Sequence, residues 1–289
     1  MKVAIIPNLT KSCADKITKK VVEKILELDL IPMLTKDVYL YVYQNIENNS
    51  VEKFNTVEQL VRCCDIVITI GGDGTIINTA QHTSRFNKPL LGINLGTLGF
   101  VAELEIDELD SLKHIVDCDY QIDKRMMLKA TVIRNGKKKE YHALNDINIS
   151  RGSLSRIIDL SVSLNDEVVS NYRADGIIFS TPTGSTAYSL SASGPVIEPK
   201  MKCILLTPVC PHSLFSRPVV FSKNSVLTIS ACNSDNEEIY LTIDGQKSTK
   251  LDHYDKIIIE TSNRSTKLIS IKNKNFYRVL DEKLHNRIN

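Results

Sequence analysis

Nowhere in these 289 residues does an apolar run approach the ~20 positions that a membrane-spanning helix needs, so no span is expected. An excess of one charge is missing too. The 36 basic and 34 acidic residues leave a formal net charge of +2, which suits a mixed-charge surface and not a dedicated nucleic-acid face. The opening Met1–Asn8 turns polar too soon for a secretory leader and reads as a first strand. Cysteines number seven (Cys13, Cys63, Cys64, Cys118, Cys203, Cys210 and Cys232), and none stands in a Cys-x-x-Cys spacing. Neither a disulfide framework nor a zinc site follows, and buried free thiols in a reducing, cytoplasmic compartment are expected. The six histidines (82, 114, 142, 212, 253 and 285) lack metal-ligand spacing. Gly-x-x-x-x-Gly-Lys-Ser/Thr is absent, and no Gly-x-Gly-x-x-Gly opens the chain, so an ordinary P-loop is excluded.

What is present centres on residues 65 to 75. Asp65–Ile70 reads as a short buried strand that stops at Gly71-Gly72-Asp73-Gly74-Thr75. Glycines there are expected to take left-handed conformations and to let a ligand approach the main chain. A helix is expected to start at Thr75, its free N–H groups aimed at a phosphate on the loop. A tight turn is the plain alternative. Asp73 argues against it, because a carboxylate competes with bound anions for the same amides and so needs a task, such as accepting a proton or holding a metal ion.

The first hundred residues alternate strand and helix. Strand Val3–Ile6 leads to a helix capped by Ser12 and carrying Ala14, Ile17, Val21, Ile25 and Leu28. Ile31–Thr35 is a second strand, and a helix with Val57, Leu60, Val61 and Cys64 precedes the strand at 65–70. Pro89–Ile93 is the next strand, followed by a second glycine loop, Gly92–Phe100. Such order predicts a Rossmann-like parallel sheet covered by helices, with ligands at the carboxyl ends of its strands. A helical piece near Asp107–Val116 closes this part.

From Met126 to Lys272 short β segments dominate: Met127–Arg134, Tyr141–Ser150, Ile157–Leu164, Ile177–Ser180, Cys203–Thr207, Val226–Ala231, Ile239–Ile243, Lys256–Glu260 and Leu268–Ile271. Asn135-Gly136 and Asn165-Asp166 read as turns between them. The fold class is therefore an α/β domain over 1–104 plus a mostly-β, layered or sandwich-like domain over 105–274. A short amphipathic helix within 275–289 is expected to pack back on the first domain.

Three stretches are unusual for strand and turn. Asn145-Asp146 would put one polar side chain toward the core unless a turn or a ligand uses it. Ser180–Ser191 gathers small hydroxyl residues around Gly184 before Tyr188, a surface suited to a sugar–phosphate with a ring for stacking. Asp244-Gly245-Gln246 after a strand is by itself a turn.

Taken in order, the Gly71–Thr75 loop, Asn94–Phe100, Asn145-Asp146, Thr181-Pro-Thr-Gly-Ser-Thr-Ala-Tyr188, Pro208–Pro218 and Asp244-Gly-Gln246 make the chain resemble the NAD kinase family, over about residues 1–284. The first motif is shared with diacylglycerol and sphingosine kinases; the Thr181–Tyr188 motif is far more specific. Many members carry Glu where this chain has the shorter Asp146. The resemblance implies phosphoryl transfer from ATP or polyphosphate to the 2′-hydroxyl of the adenosine ribose of NAD, with Mg²⁺ as cofactor and Asp73 as general base. It assigns 1–104 to ATP and 105–274 to NAD binding and oligomerisation, as a homodimer or homotetramer. Gly71, Gly72, Gly74 and Thr75 would hold donor phosphates. The implied NAD-binding set is Asp73, Gly74, Phe100 (on the adenine), Asn145, Asp146, Arg173, Asp175, Thr183, Thr186, Ala187, Tyr188, Ser191, Asp244 and Gln246. Two rival readings use parts of the same pattern: a lipid kinase of the same superfamily, and a non-catalytic NAD(H) sensor.

Overall fold

The computed structural model describes residues 1–44, 47–96, 99–152, 156–213, 215–231, 238–272 and 275–285. Thr97 and Leu98 of the second glycine loop, Leu214, Cys232 and the last four residues of the expected 275–289 helix lie outside the described residues. The chain divides into two units, 1–124 with 266–289, and 125–265.

The first unit runs β1 (Lys2–Pro7), α1 (Ala14–Glu27), β2 (Ile31–Thr35), α2 (Lys36–Tyr43), β3 (Glu52–Phe54), α3 (Val57–Cys63), β4 (Ile66–Gly71), α4 (Asp73–Arg85), β5 (Pro89–Asn94), a 3₁₀ turn (Ile106–Leu112) and α5 (Lys113–Val116). Its strands are parallel in the order β3-β2-β1-β4-β5. β4 is central and buried along its whole length. Burying each of its aliphatic side chains contributes roughly 1.5–3 kcal/mol, which fixes the strand that delivers the glycine turn. α1 buries Ala14, Ile17, Val21, Val22 and Ile25 at helical spacing. Its N-cap is Cys13 in a left-handed conformation, φ 61°, and not Ser12 as the sequence suggests. α2 lies in a segment that had no expected element. Its valines and tyrosines favour strands, but Tyr39 and Tyr43, four residues apart, are buried together with ring centroids 4.9 Å apart.

The second unit holds β6 (Gln121–Arg134, whose first four residues belong to the first unit), β7 (Lys137–Ala143), β8 (Asp146–Arg151), β9 (Ile158–Leu164), β10 (Glu167–Ala174), β11 (Gly176–Ser180), α6 (Tyr188–Ser191), β12 (Cys203–Val209), β13 (Val219–Ser222), β14 (Leu227–Ala231), β15 (Ile239–Ile243), β16 (Lys247–Leu251) and most of β17 (Lys256–Ser270). One antiparallel sheet runs β13-β12-β11-β8-β15-β16, and β10-β9-β14-β17 form another ladder, with β6 pairing both β17 and β7. The alternating Ile147, Ile149, Ile177, Phe179, Leu206 and Leu241 of the first layer and Leu160, Val162, Ile229 and Ile259 of the second share one core. The two turns read from the sequence take left-handed φ at both central residues, 49° and 75° at Asn135-Gly136 and 52° and 66° at Asn165-Asp166. Such turns match the twist of the strands they join. The last helix, α7 (Phe276–His285), belongs to the first unit.

The boundaries differ from 104/105 and 274/275. Leu112 and Ile115 pack into the first unit's core, and Asp110 pairs with Lys24 of α1 at 2.7 Å, which carries that unit through Lys124. Ile269, at the end of β17, joins the same core. Lys256–Glu260 and Leu268–Ile271, read as separate strands, are mostly one strand, β17, which ends at Ser270. Tyr141–Ser150, read as one, breaks at Leu144-Asn145.

Candidate active site

In the first unit the turn from β4 into α4 is tighter than the sequence suggests. The helix begins at Asp73, two residues before Thr75, with Gly72 as N-cap. Gly71, Gly72 and Gly74 do not adopt the expected left-handed conformations; the positive-φ glycines are Gly96, Gly136 and Gly245. Space is what these glycines supply. A Cβ on Gly71 would collide with the side chain of Thr75, while Cβ atoms on Gly72 and Gly74 would meet nothing within 4 Å. That open ground lies at the amino end of a 13-residue helix, which carries roughly half a positive charge.

Asp73 does not compete for that helix end. Its carboxylate turns to another loop, where Oδ2 accepts the N–H of Phe100 at 2.8 Å and Oδ1 accepts that of Val101 at 3.1 Å. A Cβ on Gly99 would overlap Oδ1, so glycine is what lets the loop come this close. The ammonium of Lys283, on α7, reaches Oδ2 at 3.4 Å and stands 4.2 Å from the centroid of the Phe100 ring. Phe276 approaches the same ring, centroids 6.4 Å apart.

A cleft of about 460 Å³ adjoins the turn, lined by Asn8, Lys11, Gly72, Gly74, Thr75, Asn78 and Thr79 among others. Asn8 donates from Nδ2 to Thr75 Oγ1 at 3.3 Å. Asn8, Lys11 and Asn78 were not singled out from the sequence. Asn8 had a signal, since it directly follows β1 and its N–H bonds the Ile70 carbonyl of β4, at the carboxyl ends of parallel strands. Lys283 had none.

In the second unit Asn145 and Asp146 are both buried, at a bend where β7 gives way to β8. Asp244 organises that bend. With φ 49° it points its carboxylate at three amides, accepting from Leu144 at 3.0 Å, Asn145 at 2.7 Å and Asp146 at 3.1 Å. The stretch after β11 fastens to the same place. Thr181 donates its N–H to the Asn145 carbonyl at 2.9 Å and its hydroxyl to that of Leu144 at 2.6 Å. A Cβ on Gly184 would run into the Asn145 carbonyl. Thr183 accepts from Arg125 Nη1 at 3.2 Å, and Thr186 donates to the Thr183 carbonyl.

Two polar atoms in this cluster, Asn145 Oδ1 and Ser180 Oγ, are buried without a hydrogen-bond partner among the described residues. Buried polar atoms are normally satisfied, and a ligand can do this. Burial, with the Asp244 carboxylate adding to it, pushes the Asp146 carboxyl up to about 7.

Of the other expected site residues, some continue this stretch and some lie at the far end of β11. Ala187 follows the Gly184–Thr186 turn, and Tyr188 and Ser191 stand exposed on α6. Gln246 is exposed in its turn. Asp175 pairs with Arg151 Nε at 2.5 Å next to Gly176, at the end of β11 away from Ser180. Five strand residues set those ends roughly 13–17 Å apart. Arg173 is exposed on β10 at that same end.

A glycine turn with a helix end for anions, beside a carboxylate that other amides keep off that helix, is the equipment of a phosphoryl-transfer protein. The models for the ATP-NAD kinase N-terminal and C-terminal domains match residues 3–120 and 144–271. The chain is 41% identical over 289 residues to an NAD kinase of Caldanaerobacter subterraneus subsp. tengcongensis, covering 99% of each. It is 37% identical over 289 residues to one of Acetivibrio thermocellus, covering 99% of this chain and 98% of that one. The chain belongs to the NAD kinase family. Among solved structures, yeast NADH kinase complexed with NADH aligns with TM-score 0.89 at 25% identity, over 99% of this chain and 87% of that one. An Archaeoglobus fulgidus NAD kinase in complex with ATP aligns with TM-score 0.75 at 26% identity, over 99% of both.

Proposed function

We propose that this enzyme is an NAD kinase whose general base is Asp73. Its carboxylate takes the proton of the 2′-hydroxyl on the adenosine ribose of NAD as that oxygen bonds to the terminal phosphorus of ATP. The bond from that phosphorus to the bridging oxygen breaks, and ADP leaves with NADP as product. The observation that carries the reading is the Asp73 carboxylate, held by the N–H groups of Phe100 and Val101 beside an open helix N-terminus. Phosphoryl transfer asks mainly for positioning and charge neutralisation, and this turn is suited to both.

The donor phosphates lie on Gly71, Gly72, Gly74 and Thr75, with Asn8, Lys11 and Asn78 along the cleft. In the second unit Asn145, Asp146 and Thr183–Tyr188 take NAD, supported by the unsatisfied Asn145 Oδ1 and Ser180 Oγ. Among the described residues no group of three His, Cys, Asp or Glu side chains is placed to hold a metal ion. Asn8, Thr75, Asn78 and Thr79, whose side chains carry neutral oxygens, line the cleft. Such donors fit a Mg²⁺ that arrives on the donor's phosphates, with Thr75 and Asn78 completing its shell, better than a resident ion. Bound there, Mg²⁺ would neutralise phosphate charge.

The six described cysteines are free thiols, which supports a reducing, cytoplasmic setting, but only Cys64 and Cys203 are buried as expected; Cys13, Cys63, Cys118 and Cys210 are exposed. No helix among the described residues is long and apolar enough to cross a membrane. Val219 and Val220, exposed on the outer strand β13, support self-association as a dimer or tetramer, which light scattering after gel filtration measures.

One assay tests the activity: formation of NADP from NAD, or NADPH from NADH, with ATP or polyphosphate as donor, beside a diacylglycerol control. Accumulation of NADP is expected. Phosphorylated lipid instead would overturn the reading in favour of a lipid kinase, and no product from any pair would favour a sensor.

A further inference from the structure

We propose that Lys283 is a positioning residue for Asp73, which makes the carboxy-terminal helix a working part of the active site. The inference rests on the reading of Asp73 as base. An anionic base beside a bound polyphosphate faces a physical difficulty, because like charges repel and a carboxylate in such a place swings away unless it is held. Two amides hold it from one loop, and Lys283 is the one ion-pair partner of Asp73 among the described residues.

The cation is fixed from a second side. Lys283 and Phe276 stand seven positions apart, two turns of α7, and so share a face of that helix. Both reach Phe100, Phe276 with its ring and Lys283 with its ammonium over the ring face. Phe100 in turn donates its N–H to the same Asp73 oxygen that meets Lys283. Asp73, Phe100 and Lys283 thus each touch the other two, Phe100 through its N–H on one side and its ring on the other. The side chains of Lys283 and Asp73 are 21% and 26% exposed, so water screens them less than an ordinary surface pair. Arg278 on the same helix makes the contrast: it pairs with Glu282 at 3.1 Å while its own side chain is 82% exposed.

Lys283 therefore does one thing. Its contact with Oδ2 keeps that oxygen in one orientation for the incoming hydroxyl, and it acts on the reaction only through Asp73.

The test compares Lys283→Met, Lys283→Gln and Lys283→Arg in the full chain, alone and in an Asp73→Asn background, with NADP accumulation followed long enough to quantify slow variants. The Met and Gln variants are expected to lose about tenfold or more in kcat while KM for NAD stays within twofold, and Arg to restore most of the loss. In the Asp73→Asn background Lys283→Met should change kcat by less than twofold. The Gln variant, of similar polarity, guards against misfolding of the Met variant, and thermal unfolding checks both. A folded Lys283→Gln enzyme with wild-type kcat overturns the proposal, as does an equal loss in both backgrounds. An Asp73→Asn enzyme with normal turnover instead removes the base assignment itself.

Discussion

The carboxylate of Asp244 accepts the N–H of Asn145 at 2.7 Å across nearly a hundred residues of sequence. The same group takes the amides of Leu144 and Asp146, so a residue that looks like a turn former holds the bend that aims Asn145 and Asp146. Asp146 lies buried beside that charge, with its carboxyl pushed up to about 7.

Stability should therefore fall as pH rises through the Asp146 transition. An Asp in an unfolded chain titrates near ~3.9. Between there and about 7 the folded protein keeps a proton that the unfolded chain has released, which favours folding at the acidic side and stops changing above the higher value. Asp146→Asn lacks this dependence. Urea unfolding at pH 5 and pH 8 should show the wild type losing up to ~3 kcal/mol relative to the variant. Parallel curves for both would contradict the assignment.

Asp73→Asn keeps shape and removes basicity. Turnover is expected to drop about 10²–10⁴-fold, while NAD affinity measured by calorimetry changes little. Near-normal kcat would disprove the role of the carboxylate.

Lys11→Met should act on the donor alone. Lys11 lines the cleft beside Gly72 and Thr75, so KM for ATP is expected to rise roughly tenfold, the scale of one lost charged contact, with KM for NAD unchanged. A rise for NAD instead would move the donor site elsewhere.

Gly72→Ala and Gly184→Ala separate space kept for a ligand from space filled by the protein. At Gly72 the Cβ meets nothing, so the melting temperature should hold while KM for ATP increases. At Gly184 it strikes the Asn145 carbonyl, an overpacking that costs about 1–3 kcal/mol. The melting temperature should drop by several degrees in differential scanning calorimetry.

Much of the first unit was legible because its apolar runs are short, continuous and stopped by glycine or proline, as at Ile66–Gly71 and Pro89–Asn94. The Asn135-Gly136 turn was legible for the same local reason. α2 was not, since packing of Tyr39 on Tyr43 overrides the strand preference of its residues. The reason for the glycines around Asp73 was misread: the backbone there stays in ordinary φ, and what matters is the room a missing Cβ leaves. Nothing near Asp73 in sequence announces its partners, which come from Phe100, Val101 and Lys283, as many as 210 positions away. Distant contacts of this kind belong to the tertiary fold.

Asn8 and Lys11 sit on the connection after β1, a different piece of chain from the one that carries Asp73. On the proposed assignment of the cleft to the donor, substitutions in that one short connection would change the grip on the donor's phosphates and leave Asp73 in place.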